Sequence, residues 1–168
     1  MLKTNPVDPL AYRNAMARFA GAVHVVTTDG PAGRRGVTMT AVASVSDKPA
    51  TLLICLNLTK ASNELFVRNG CFAVNTLAAK HQKLADAFSG MGGLSADERF
   101  ALGQWRSAHD AGATGAPVLA DALASFDCVL TESHDLSTHR ILIGRVSGVF
   151  TGDSQSALIY HERGYHVL

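Results

Sequence analysis

The chain has 168 residues, 47% of them hydrophobic and only 17% charged, with a formal net charge of +1. That length and apolar content suit one domain with a buried core, and a near-neutral balance without a basic run argues against nucleic acid as a partner. Low charge with a mean hydropathy of +0.12 implies surface covered by something other than water, either a second copy of the chain or a large cofactor.

The three cysteines, Cys55, Cys71 and Cys128, lie far apart in apolar segments and form no CxxC motif. They read as buried thiols in a reducing compartment. Charges at Lys3, Asp8, Arg13 and Arg18 interrupt any signal-peptide core, and no apolar run approaches the roughly 18 residues of a membrane helix. The expectation is a soluble, cytoplasmic protein with no membrane partner.

In chain order, Asp8 with Pro9 opens an amphipathic helix to about Arg18. "AVHVVTTDG" is a strand ending in a turn at Asp29-Gly30, and "GPAGRRG" is a loop. "GVTMTAVASVSDKP", residues 36–49, alternates as one strand, closed by Pro49. "TLLICLNL" is uninterruptedly apolar and predicts a strand buried on both faces. "KASNELFVRNG" is a short helix closed by Gly70, "CFAVNTL" a strand, and "AKHQKLADAFSG" a helix closed by Gly90. Residues 91–115 are irregular, with a short helix near "SADERF" and the single Trp105. Two long strands, "ALASFDCVLTESHDL" and "THRILIGRVSGVFTG", precede a closing hairpin in "SALIYHERGYHVL". About seven strands with short helices between them predict a mainly β fold, a small closed barrel with flanking helices. A doubly wound α/β fold would need alternation throughout, and the second half lacks it.

Several catalytic engines are missing. No GxSxG motif or evident Ser-His-Asp set occurs, "GMGGLS" is not a dinucleotide fingerprint, and there is no GxxxxGK[ST]. His134/His139 and His161/His166 are each five apart, which on one strand puts them on opposite faces and makes poor metal ligands. Whatever chemistry occurs belongs to something the protein binds.

The strand at 36–49 is the exception to a bland reading. Its even positions carry Thr38, Thr40, Ser44 and Ser46, where a water-facing strand normally carries charge. One account is β-propensity with partial burial against a neighbouring subunit. The other is a planar ligand whose polar edge needs short uncharged donors and acceptors, as the edge of a flavin isoalloxazine does.

"YRNAMARFAGAVHVVTTDGPAGRRGVTMTAVASVSDKPATLLICLN", with "FAVNTL", "LADAFSG", "ERFALGQW", "TGAPVLADALASFDC", "THRILIGRV" and "LIYHERGYHVL", resembles the short-chain flavin reductase family of FMN-binding split barrels. The likeness runs from about Tyr12 to Leu168 in the family's order, and implies a single split-barrel domain over residues 1–168. "TMTAVASVS" is similar to the family's T-x-[NT]-[AS]-x-x-S-V-[ST] strand, which implies Thr38, Thr40, Ala41, Ser44 and Val45 around the flavin. Cys55 and Asn57 lie on the neighbouring strand. The turn after it, with Thr59, Lys60, Ala61, Ser62 and Asn63, is implied to take the flavin phosphate at a helix start. Lys60 stands where many relatives have Ser or Thr, and as a bare residue reads equally as a surface lysine. Phe88 matches a position near the flavin or packs in the core. His139 matches the histidine beside the nicotinamide. Tyr160, with Arg163 and Tyr165, matches a C-terminal Y-x-x-R-x-[YF] pattern that frames the pocket or a dimer interface.

The implied activity is NAD(P)H:flavin oxidoreduction. Hydride passes from nicotinamide C4 to flavin N5, a transfer that needs stacking and dryness but no protein acid or nucleophile. The resemblance also implies a homodimer and a partner monooxygenase fed with reduced flavin. A reductase of cobalt(II) corrinoids in cobalamin biosynthesis, or a non-enzymatic flavin-binding module, are the alternatives. The motifs address FMN and FAD alike, and the lack of an Arg cluster for a 2′-phosphate favours NADH over NADPH.

Overall fold

A computed structural model describes residues 6–106, 114–153 and 156–168. Helix α1 (Pro9–Met16) starts where Asp8 Oδ2 accepts from Ala11 N at 2.9 Å, with Pro9 in the first turn. None of its residues is buried, so the amphipathic face read from the sequence has no cover among the described residues. The predicted strand at 22–30 divides at Val23 into β1 (Gly21–Ala22) and β2 (His24–Thr28).

The strand read as one unit over 36–49 also divides. β3 (Arg35–Met39) and β4 (Val42–Asp47) are separated by a corner at Thr40–Ala41, and β4 turns at Lys48-Pro49 into β5 (Ala50–Asn57). A 3₁₀ turn at Ala61–Asn63 leads into α2 (Glu64–Asn69), which ends at Gly70 with φ +67°. That left-handed conformation is open to glycine at little cost. β6 (Cys71–Thr76) follows, then α3 (Gln82–Ser89), which buries Leu84, Ala85, Ala87 and Phe88 on one stripe. α4 (Ala96–Phe100) opens with a reciprocal cap: Ser95 N donates to Glu98 Oε2 at 2.8 Å and Glu98 N to Ser95 Oγ at 3.3 Å. β7 (Trp105–Arg106) pairs with β8 (Val118–Leu119), and the two predicted long strands, β9 (Ala124–Leu136) and β10 (His139–Thr151), pair as a hairpin. β11 (Leu158–His161) and β12 (Gly164–Val167) form the closing hairpin, to which β1 adds a third strand.

The main sheet has the order β3-β2-β6-β9-β10-β5-β4, antiparallel at every pairing. It curls so that its two edge strands, β3 and β4, are consecutive in the chain. The barrel is therefore split rather than closed: covalent chain at Thr40–Ala41 joins the edges where a closed barrel would have a ladder.

Its interior holds Val26, Leu52, Ile54, Leu56, Phe72, Val74, Cys128 and Leu142. A second core, with Val23, Val25, Leu77, Leu84, Phe88, Phe100 and Leu158, fills the space between the sheet, α3 and the closing hairpin. β5 corrects the expectation of burial on both faces. Leu52, Ile54 and Leu56 are buried, whereas Thr51, Leu53 and Cys55 are half-buried, because the outer face of the strand borders open cavities instead of a packed layer.

The two histidine pairs expected on opposite faces of single strands are arranged differently. His161 and His166 sit on paired strands, not along one, and their rings meet at 5.9 Å. His134 and His139 likewise lie on β9 and β10. Among the described residues no cluster of His, Cys, Asp or Glu is arranged to hold a metal, and no helix is long and apolar enough to cross a membrane.

Candidate active site

A cavity of about 660 Å³ opens where β3, the Thr40–Ala41 corner, the end of β5, the Lys60–Asn63 loop, the end of α3 and the start of β10 converge. Its volume falls within the roughly 300–1,000 Å³ of small-molecule sites. Thr38, Thr40, Ala41, Cys55, Asn57, Lys60, Ser62, Asn63, Phe88 and His139 all line it. Residues spread over a hundred positions are thus brought to one wall. Ser44 and Val45 are not among them: the corner carries β4 away from the cavity, and Val45 is 52% exposed on the outside. Tyr160 is absent as well, lying with Arg163 on two neighbouring recesses.

Local bonding decides which polar atoms remain for a ligand. Thr38 Oγ1 donates to Ala85 O at 2.7 Å, which ties β3 to α3 and spends its proton. Asn63 is a brace: Nδ2 donates to Asn57 O at 2.9 Å and Oδ1 accepts from Arg35 Nε at 3.3 Å. Asn57 Oδ1 accepts from Thr59 N at 2.8 Å and turns the chain out of β5. The brace holds Lys60 and Ser62 on the cavity rim, both exposed. α2 is only six residues long and is preceded by the 3₁₀ turn, so the positive potential expected from a helix start comes instead from side chains.

Those side chains include two that sequence reasoning missed. Arg35 and Arg99 line the cavity with Lys60, and no described Asp or Glu does. Desolvation, and then the nearby Arg99 charge, lower the Arg35 pKa from its ordinary value. Arg99 Nε is buried with no hydrogen-bond partner among the described residues. Like charges gathered around a cavity, with a buried donor unpaired, fit an anion such as a phosphate. The available signal was "GRRG" beside the hydroxyl strand and the Arg of "ERF", but a basic residue in sequence does not say which way it faces.

The remaining wall is aromatic and thiol. Phe88 is 3% exposed and packs edge-to-face on Phe100 at 5.0 Å and Trp105 at 5.9 Å, so it serves the core while its rim borders the cavity. Gly36 makes that approach possible: a Cβ there would lie 2.6 Å from Phe88 Cδ1. Cys55 is half-buried rather than buried as expected, and desolvation pushes its thiol pKa up, which keeps it neutral. His139 Nδ1 is 2.9 Å from Thr138 Oγ1, leaving Nε2 as the nitrogen for a ligand.

Beyond the Thr40–Ala41 corner lies a second cavity of about 780 Å³, which shares Thr40, Ala41 and Cys55 with the first and adds Phe19, His24, Tyr160 and Arg163. Burial lowers the His24 pKa to about 4, and its Nδ1 lies 3.1 Å from Thr76 Oγ1. The imidazole is therefore neutral at neutral pH.

Comparison with known proteins gives this architecture a family. Residues 16–168 match the flavin reductase-like domain. FMN reductase (NADH) RutF of Agrobacterium fabrum is 49% identical over 166 residues, covering 99% of this chain and 92% of the relative. Among solved structures, BorF, the flavin reductase component of a bacterial two-component tryptophan halogenase, is 31% identical with a TM-score of 0.84, covering 96% of this chain and 98% of its own. The NADH:FAD oxidoreductase SgcE6 of Streptomyces globisporus, solved with NAD and FAD fragments, is 26% identical with a TM-score of 0.84, covering 97% and 96%. With a split barrel, a cation-lined cavity and this breadth of match in hand, the chain belongs to the flavin reductase-like domain family.

Proposed function

We propose that the protein is an NADH-dependent flavin oxidoreductase whose first cavity seats the flavin, FMN or FAD, and which releases reduced flavin to a partner monooxygenase. The observation that carries the reading is the union of Arg35, Lys60 and Arg99 with the Thr40–Ala41 corner in one cavity free of described carboxylates. The fit is chemical: a flavin presents a phosphate to the cations and an uncharged polar ring edge to hydroxyls and strand amides.

Within this seat, Arg99, Arg35 and Lys60 hold the phosphate, and Asn63 fixes the loop that carries Lys60 and Ser62. Thr40 and the backbone at Ala41 border the ring, with Cys55 as a neutral wall and Phe88 as an apolar one. When bound, the flavin supplies the acceptor atom for the hydride of a dihydronicotinamide, so the protein needs no acid, base or nucleophile of its own. His139 orients the nicotinamide dinucleotide through Nε2. The neighbouring cavity across the corner, with Tyr160 and Arg163, leaves room for a second ligand beside the first. Ser44 and Val45, away from the cavity, belong to the outer face of β4.

We further infer a homodimer. α1 buries none of its residues, and Leu10, Tyr12, Phe19 and Val45 are each more than half exposed, an apolar surface that a second copy would cover. The three thiols are free, which supports a reducing cytoplasm.

Anaerobic spectroscopic titration tests the function. Purified protein should bind FMN or FAD, and NADH should then bleach the flavin absorption faster than NADPH does. Failure to bind either flavin, or bleaching no faster than flavin alone with NADH, sinks the reading. Light scattering after gel filtration should give twice the chain mass at micromolar concentration.

A further inference from the structure

The β9–β10 hairpin carries His139 as the first residue of β10, and the hairpin end of β9 runs on beyond its pairing with β6. Neighbouring strand residues face opposite ways, so while His139 lines the first cavity, Arg140 lies behind it in a smaller recess with Lys60, Ala61 and Glu64. The Arg140 side chain is 16% exposed. Its Nε and Nη2 donate to Asp135 Oδ1 and Oδ2 at 2.5 and 3.1 Å, and its Nη1 donates to Glu64 Oε2 at 2.6 Å. Asp135 is the residue opposite Arg140 in the hairpin register, and Glu64 is the first residue of α2.

The β5–β10 ladder already sets His139 against Asn57, and Leu58 N donates to Thr138 O at 3.0 Å. The loop that follows, with Lys60 and Ser62, is tied by the Asn63 brace to β5 and β3. Glu64, the next residue, adds the tie to the hairpin. We propose that Arg140 is a positioning residue: by bridging Asp135 and Glu64 it fastens the Lys60–Asn63 loop to the hairpin, and so sets Lys60 at a fixed distance from His139 across the cavity mouth. An isolated exposed ion pair contributes little. Here one guanidinium is already ordered by two hydrogen bonds within its own hairpin, so catching Glu64 costs little further entropy. The proposal rests on the reading of His139 as the nicotinamide-facing residue and of Lys60 as a flavin-phosphate contact.

The test is a double-mutant cycle on the full chain with FMN, using His139→Ala, Arg140→Met and the pair. Arg140→Met should raise KM for NADH roughly fivefold, with kcat within about twofold of wild type, and that increase should vanish when residue 139 is Ala. The same variant should weaken FMN binding about threefold through the loosened loop. Wild-type KM and wild-type FMN affinity in Arg140→Met overturn the proposal, and so does a KM increase that persists in full with Ala at 139, because that marks general loosening. If His139→Ala alone leaves KM unchanged, the reading of His139 falls instead, and the clamp is then decided by the FMN affinity of Arg140→Met.

Discussion

Replacing Arg99 by methionine keeps the length of the side chain and removes its charge and its donors. In the folded protein Arg99 Nε is buried without a partner among the described residues, and the Arg99 charge disfavours the protonated form of Arg35 across the cavity. A buried unsatisfied donor costs on the order of 1 kcal/mol or more. In a chain of this size each kcal/mol moves Tm by about 2–4 °C, so flavin-free Arg99→Met should melt about 3 °C above wild type. Binding should move the other way. Charge-assisted hydrogen bonds to a phosphate contribute roughly 1.5–3 kcal/mol, which makes the FMN Kd roughly 10–100 times larger in the variant. Scanning calorimetry in buffer without phosphate or sulfate reads the first effect, and flavin fluorescence titration reads the second. Riboflavin, which lacks the phosphate, is the control and should lose almost nothing. A lower Tm with unchanged FMN affinity, or equal losses for FMN and riboflavin, would refute the assignment of Arg99 to the phosphate.

His139→Ala should raise KM for NADH while kcat largely survives, since Nε2 orients a ligand without moving a proton; steady-state kinetics at saturating flavin checks this. Gly36→Ala forces a Cβ to 2.6 Å from Phe88 Cδ1 and 3.4 Å from Phe100 Cζ. The ring must shift, at about 1–3 kcal/mol, and both Tm and flavin affinity should fall; an unchanged Tm would show slack around Phe88. His24 governs an acid limb. Its folded pKa of about 4 lies below the ordinary 6.5, so the unfolded chain binds that proton more readily, and stability drains away as pH falls from about 6.5 to about 4. The loss reaches at most about 3 kcal/mol. His24→Asn, which can still meet Thr76, should flatten that stretch of the denaturation profile.

The two long strands were readable because their sequences are bounded by Asp121 and Gly152 and separated by a short polar turn, and α4 because Ser95 and Glu98 stand at capping-box spacing. The Thr40–Ala41 corner was not readable. No Gly or Pro marks it, and the alternation of Val37, Met39, Ala41 and Ala43 continues through it, because what bends the strand is the closure of the sheet around it. The one-sided burial of β5 was hidden for a related reason. Leu53 and Cys55 are apolar whether they face a core or a cavity, and hydropathy cannot separate the two. Family resemblance supplied the cavity residues from Thr38 to His139. Arg35 and Arg99 escaped, since a guanidinium is placed by the fold around it and not by its immediate neighbours.

Thr40 and Ala41 border two chambers at once. A wall at shared positions cannot be remodelled on a single side: bulk added at position 41 narrows both compartments, and bulk removed from position 40 widens both. Anyone retuning such a protein for a different guest must judge a change at these shared positions by its effect on a pair of occupants, and seek independent control among residues that face one chamber alone.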